Sequence, residues 1–177
     1  MIDAFHRRRA FTLIEVIVVV AIISIATVIT FVSFAGQRSI RGLDRASHEV
    51  VSILREAQGY ALAGHSQTGE KNCWIGIDIS GAGANYSVMK SYPSGACTST
   101  ASISSYTLKE GVAFPGAERI VFTLPRGEVM YLSGGALTAL SSGSSRRITV
   151  TKNAVSHYIC VYSTGRIVEN GTTATCP

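Results

Sequence analysis

Charge is scarce in this 177-residue chain: Asp, Glu, Lys and Arg make up 15% of it, against 46% hydrophobic residues. That is the opposite of the polar, highly charged composition that keeps a chain disordered. Catalytic signatures are also missing. There is no G-x-S-x-G, no H-E-x-x-H and no P-loop, so an enzyme is not expected, nor a cofactor or small-molecule substrate. No C-x-x-C or H-x-x-x-H spacing occurs and the four histidines are scattered, which leaves no sequence signature of a metal site. Excess positive charge is slight. Sixteen Lys+Arg against eleven Asp+Glu give +5, but Arg7, Arg8 and Arg9 lie together, and beyond residue 10 thirteen basic residues face ten acidic ones. The remaining +3 is too mild to argue for nucleic acid unaided. The length allows one compact core plus an appendage, and not two enzymatic domains.

What the chain has in abundance is one apolar run. From Phe11 to Ala35 it reads FTLIEVIVVVAIISIATVITFVSFA, with Glu15 as the single formal charge. About 25 residues at 1.5 Å each cross a bilayer as a helix. The arginines directly ahead of it place residues 1–10 on the cytoplasmic side and send the carboxyl part to the far side. A secretory signal has an apolar core of about 7–15 residues and an A-x-A-like cleavage site. This run is longer and has no such site after it, so it is expected to stay in the mature protein. Glu15 is the anomaly, because a lone carboxylate inside a membrane segment is costly unless it meets a positive partner.

The segment RRRAFTLIEVIVVVAIISI resembles the amino-terminal signal of type IV prepilins and type II secretion pseudopilins: a short basic leader, a small residue, then F-T-L-I-E and an apolar stretch. The resemblance implies that a prepilin peptidase cuts between Ala10 and Phe11 and N-methylates Phe11. It also implies that Glu15 pairs with the amino terminus of a neighbouring subunit during assembly. The family usually has Gly before the cut bond; here the small residue is Ala10.

Beyond the run, Leu43, Ala46, Val50, Leu54, Ala57 and Ala61 recur at spacings of three and four, which predicts an amphipathic helix face. Gly64 is a helix stop, so one helix is expected from about 11 to 63, roughly 80 Å long, with Gly36 and Gly42 as weak points. No proline interrupts it. After Gly64 the chain turns to Gly, Ser and Thr with short β-like runs at 74–79, 86–89, 104–108, 119–124, 129–132, 147–151, 157–162 and 166–169. Such runs predict an antiparallel sheet packed on the helix face. Loops are expected at 80–85, 133–136 and 141–145. Gly127 and Gly165 read as turn residues of positive φ, and His157 and Trp74 as sheet or core packing.

This half also resembles a known domain. Arg119-Ile-Val-Phe-Thr-Leu-Pro-Arg-Gly-Glu-Val129 and His157-Tyr-Ile-Cys-Val-Tyr-Ser-Thr-Gly-Arg-Ile167 are similar to the domain shared by pseudopilin H and the FimT/FimU minor pilins. The expected fold class is therefore α+β and pilin-like: residues 1–10 as leader, 11–35 as transmembrane assembly helix, 36–63 as its amphipathic continuation, and 64–177 as a periplasmic β-rich domain.

Cys73, Cys97, Cys160 and Cys176 all follow the apolar run, in the half expected outside the cytoplasm, and their even number favours disulfides. Three connectivities exist; the sequence-local one, Cys73 with Cys97 and Cys160 with Cys176, is the expectation. Some members of the resembled minor-pilin branch bind DNA through basic residues near the carboxyl end. The corresponding candidates are Arg146, Arg147, Lys152 and Arg166, although Ile167, Val168 and Glu169 follow Arg166 and no second arginine completes a basic loop there. A solvated face is the better reading of these four.

The sequence thus points to a structural minor pilin of a type IV pilus, anchored in the bacterial inner membrane by a single pass. Its expected partners are prepilin peptidase and other pilin subunits. The alternatives are pseudopilin H of type II secretion, a DNA-capturing minor pilin, and an anchored binding domain that does not polymerise.

Overall fold

The computed structural model describes residues 12–64, 73–92, 97, 99–133 and 136–176, with the side chains of 29–39 and of Tyr92 outside the description. The expected peptidase site at Ala10 and Phe11 lies outside these residues. One helix, α1 (Leu13–Leu62), is followed by nine strands: β1 (Trp74–Ile79), β2 (Asn85–Tyr92), β3 (Ser99–Thr107), β4 (Glu118–Thr123), β5 (Val129–Ser133), β6 (Ala136–Ala139), β7 (Ser145–Lys152), β8 (Val155–Tyr162) and β9 (Ile167–Glu169). The class is α+β. The chain divides into two units, Met1–Arg38 and Ser39–Pro177.

In the first unit the described part is helix alone. Its large apolar side chains from Leu13 to Val28 are 48–78% exposed. Val16, Val18, Val19 and Val20 with Ile17 point in successive directions 100° apart, so no side of this stretch is polar. Among the described residues, no helix is long and apolar enough to cross a membrane; the run expected to do so, 11–35, is described with side chains only over 12–28.

The second unit holds the core. Its six-stranded sheet has the order β3-β2-β1-β4-β5-β6 and its three-stranded sheet the order β7-β8-β9, with every pairing antiparallel. Two sheets are found where one was expected. Among the described residues, no strand ladder joins β7 to the large sheet; it meets the chain ahead of β4 through the isolated bridge Ala113↔Thr151. A sixth strand, β6, begins inside the expected 133–136 loop; Leu132↔Leu137 and Ser133↔Ala136 close that hairpin. Small polar and Ala residues gave it no alternating pattern to read.

The helix stripe is buried as spaced: Leu43, Val50, Leu54 and Ala61 are fully enclosed, with Ala46 and Ala57 nearly so. They meet Ile75, Ile77, Ile120 and Phe122 of the large sheet and Ile148, Val150, Ile159 and Val161 of the small one in a single core. Val51 and Ile53, either side of the stripe, are buried as well, because α1 is covered by strands of two sheets rather than one. The helix runs unbroken through Gly36 and Gly42. At Gly42 a Cβ would stand 2.7 Å from Glu110 Oε2 and 2.9 Å from Lys152 Nζ, the tips of two flexible side chains. Gly76 in β1 is stricter, because a Cβ there would collide with the backbone at Ile120 and Val121 on β4.

Candidate functional site

Two constellations stand out, one at the start of α1 and one where α1 meets β8 and β9. At the first, Thr12 caps the helix. Its carbonyl accepts from the Val16 N–H at 3.3 Å, and its hydroxyl accepts from the Glu15 N–H at 3.4 Å. Thr12-x-x-Glu15 thus has the spacing of a capping box, which satisfies amide protons otherwise orphaned at a helix start. The carboxylate of Glu15 sits in the first turn, where the helix dipole favours negative charge. The S/T-x-x-E spacing of Thr12 and Glu15 is the sequence signal of this cap.

Further along, the two hydroxyls are turned inward on their own backbone. Ser24 donates to the Val20 carbonyl at 2.8 Å and Thr27 to the Ile23 carbonyl at 2.6 Å. A hydroxyl bonded to the carbonyl four residues back needs no water. The stretch can therefore be enclosed by lipid or by other apolar helices without stranding a donor.

The four basic candidates are engaged in different ways. Arg146 and Arg147 are consecutive on β7 and both line an open groove with Glu118 and Thr175. Arg146 grips Glu118 with Nε–Oε1 at 2.8 Å and Nη2–Oε2 at 3.0 Å, and lies 4.7 Å over the Tyr131 ring. Those hydrogen bonds hold its guanidinium pKa above the ordinary value, against the opposing effect of burial. Arg147 donates to the Ala174 carbonyl at 2.5 Å and lies over Tyr158, while Arg166 lies 4.2 Å over Tyr162. Lys152 lies beside Gly42 of α1. Arginine stacked on tyrosine is a packing arrangement as much as a charged one.

Two disulfides, Cys73–Cys97 and Cys160–Cys176, use all four cysteines, with Cα–Cα separations of 6.0 and 5.7 Å. The second ties the carboxyl tail to β8. Gly127 and Gly165 have φ of 67° and 81°, as their turn positions require.

The second constellation was not expected. Asp44, Ser47 and His48 lie on one face of α1 by their spacing, opposite His157 of β8 and Glu169 of β9. Glu169 pairs with Ile159 in the β8–β9 ladder, so it shares a face with His157, two residues from Ile159. Ser47, fully buried, donates to Glu169 Oε1, and His48 Nδ1 lies 2.8 Å from Glu169 Oε2. His157 is 3% exposed; its Nδ1 stands 3.4 Å from Asp44 Oδ1, within ion-pair range, yet has no hydrogen-bond partner. One ligand atom each from Asp44, His157 and Glu169 lies within 4.8 Å of the other two. Histidines scattered along the sequence are here brought together by the tertiary fold, which no spacing rule could have found. Tyr86 makes a further link from sheet to helix: it donates to Glu49 at 2.9 Å and stacks on Tyr106. Burial, then that hydrogen bond, raises its phenol pKa well above the ordinary value.

With this geometry in view, comparison with known proteins gives two findings and one blank. Two crystal structures of the type IV minor pilin FimU of Pseudomonas aeruginosa strain PAO1, in space groups P21 and P65, are similar at 16% identity, with TM-scores of 0.49 and 0.47. Each alignment covers 76% of this chain, and 92% and 97% of the respective FimU chain. No curated protein matches. Residues 5–31 match the family model described as "Prokaryotic N-terminal methylation motif", a stretch that contains Ala10, Phe11, the Thr12 cap and Glu15. The chain carries a prokaryotic N-terminal methylation motif leading directly into the exposed apolar helix.

Proposed function

We propose that this chain is a structural minor pilin of the GspH/FimT/FimU kind, processed at Ala10–Phe11, N-methylated at Phe11 and built into a type IV pilus or a similar filament. The observation that carries this reading is the methylation motif over residues 5–31 running into a helix that is apolar and exposed on every side from Leu13 to Val28. Such a surface needs an apolar surrounding. Before assembly that surrounding is the inner membrane, with residues 36–177 on its periplasmic side. After assembly it is the helices of neighbouring subunits, and the internally bonded Ser24 and Thr27 fit both. Glu15, carried on a capped first turn, pairs with the methylated amino group of the next subunit, so each helix enters the bundle with its charge compensated. The second unit then displays its loops outward. The paired cysteines near the carboxyl end favour the pilus over the type II secretion pseudopilus.

Intact-mass and amino-terminal analysis of the protein from cells with and without prepilin peptidase tests the first step. A peptidase-dependent start at methylated Phe11, lacking the hydrogens of four thiols, is the expected result; a chain still beginning at Met1 overturns processing. Glu15→Ala tests the second. Processing and membrane anchoring should persist while incorporation into filaments falls to background, and normal incorporation would sink the role given to Glu15.

A further inference from the structure

We infer that Asp44, His157 and Glu169 form a binding site for a divalent transition cation of the zinc type, joining α1 to the β8–β9 hairpin. The argument starts from His157. Among the described residues, the Nδ1 of this nearly fully buried imidazole has no hydrogen-bond partner, an arrangement native folds avoid. That atom faces Asp44 Oδ1 at 3.4 Å, and Glu169 completes a set of three ligand atoms within 4.8 Å of each other. Around a zinc ion with bonds of about 2.0–2.2 Å, ligand atoms stand roughly 3.4 Å apart. The widest separation exceeds this by at most about 1.4 Å, while Asp44 Oδ1 and His157 Nδ1 already stand 3.4 Å apart, so the movement needed is that of a carboxylate side chain.

The surroundings are those of a prepared site. Ser47 and His48 hold the two oxygens of Glu169, the outer-sphere orientation that fixes a ligating carboxylate. Two carboxylates converging on one buried imidazole supply the negative charge a divalent ion needs. One nitrogen and two carboxylate oxygens suit zinc better than calcium, which prefers oxygen alone, or copper(I), which prefers sulfur. The cysteines offer no rival set, since all four are in disulfides. The ligands come from α1 and from the β8–β9 hairpin more than a hundred residues later, so a bound ion would clamp the buried part of α1 to the carboxyl-terminal strands next to the Cys160–Cys176 bond.

The test uses the full chain purified in detergent, stripped with a chelator, and titrated calorimetrically with zinc chloride and, separately, calcium chloride. Melting curves are recorded with each ion. One equivalent of zinc at micromolar Kd is expected, with the melting temperature raised about 5–10 °C at a hundredfold excess over Kd. Asp44→Ala and Glu169→Gln should each weaken binding at least about tenfold. Because Asp44 is half exposed, its variant should melt close to the ion-free wild type, which separates loss of the site from loss of the fold. Absence of zinc binding, zinc binding unchanged in both variants, or calcium binding as tightly as zinc would each overturn the proposal.

Discussion

Two stretches of one helix carry large apolar side chains and meet opposite environments. From Leu13 to Val28 the large side chains are at least 48% exposed, whereas Leu43, Val50, Leu54 and Ala61 are completely enclosed. The difference lies in arrangement as well as in hydrophobicity: the first stretch is apolar almost throughout, the second only along one stripe. In the second stretch Asp44, Arg45, His48, Glu49 and Arg55 interleave with a stripe of spacing three and four, so one side is apolar and that side is met by the chain's own strands. Among the described residues, the first stretch has no polar side to turn to water. A face can be buried within a subunit, but a full circumference has to be buried by a surrounding.

Mutations can break this comparison in order of effect. Leu54→Ala empties a fully enclosed position and should destabilise the folded chain by about 2–5 kcal/mol, read from urea unfolding in detergent. Replacing Cys160 and Cys176 together by Ser opens a loop of 16 residues and should cost about 3 kcal/mol by the chain-entropy account, with no loss of membrane anchoring. Ala154→Gly should act in the other direction. Asn153 and Ala154 form the two-residue turn from β7 to β8 with φ of 49° and 64°, and left-handed geometry costs Ala about 1 kcal/mol that Gly does not pay; the urea midpoint should rise accordingly. The smallest effect on unfolding is expected from Ile17→Ala, 59% exposed. It should leave the unfolding free energy within about 0.5 kcal/mol of wild type while reducing incorporation into filaments.

A pH titration sharpens the same contrast from the side of the core. Tyr86 is buried and its phenol pKa is raised above the ordinary value of 10.0, by burial first and then by its hydrogen bond to Glu49. A folded-state pKa above the unfolded one means that this contribution is complete below pH 10 and is lost as pH rises beyond it. The unfolding midpoint should therefore fall between about pH 10 and 11.5, and Tyr86→Phe should flatten that fall. Tyr60, whose pKa is also raised through Glu56, accounts for a residual slope, which Tyr60→Phe would remove. Equal slopes in wild type and Tyr86→Phe would mean that the phenol is not held neutral by the fold.

Local patterns were the readable part. The stripe from Leu43 to Ala61 named its own buried residues, Trp74–Ile79 was bounded as a strand by its β-branched run, and Gly127 and Gly165 announced turns. Readability failed where partners come from afar. β6 is made of Ala, Leu and Thr in Ala136–Ala139, and only its pairing with β5 makes it a strand. Gly42 reads from the sequence as a weak point of the helix, and nothing local tells that Glu110 and Lys152 stand beside it or that β4 lies against Gly76. Arg146 read as a free cation, yet its charge faces Glu118 across two strands that are not neighbours in sequence.

The sequence by itself therefore determined the motif at residues 5–31, the apolar circumference of the helix start, the class of the fold and the residues on the buried face of α1. All of these follow from composition and from periods of 2 and 3.6 that act within a few turns or strands. Tertiary structure alone decided that the strands form two sheets, that the helix is held on both flanks of its stripe, and that Asp44, Ser47 and His48 confront His157 and Glu169. Contacts of that kind join side chains more than a hundred residues apart. Their geometry is set by how sheets close over a helix, for which no local spacing carries information.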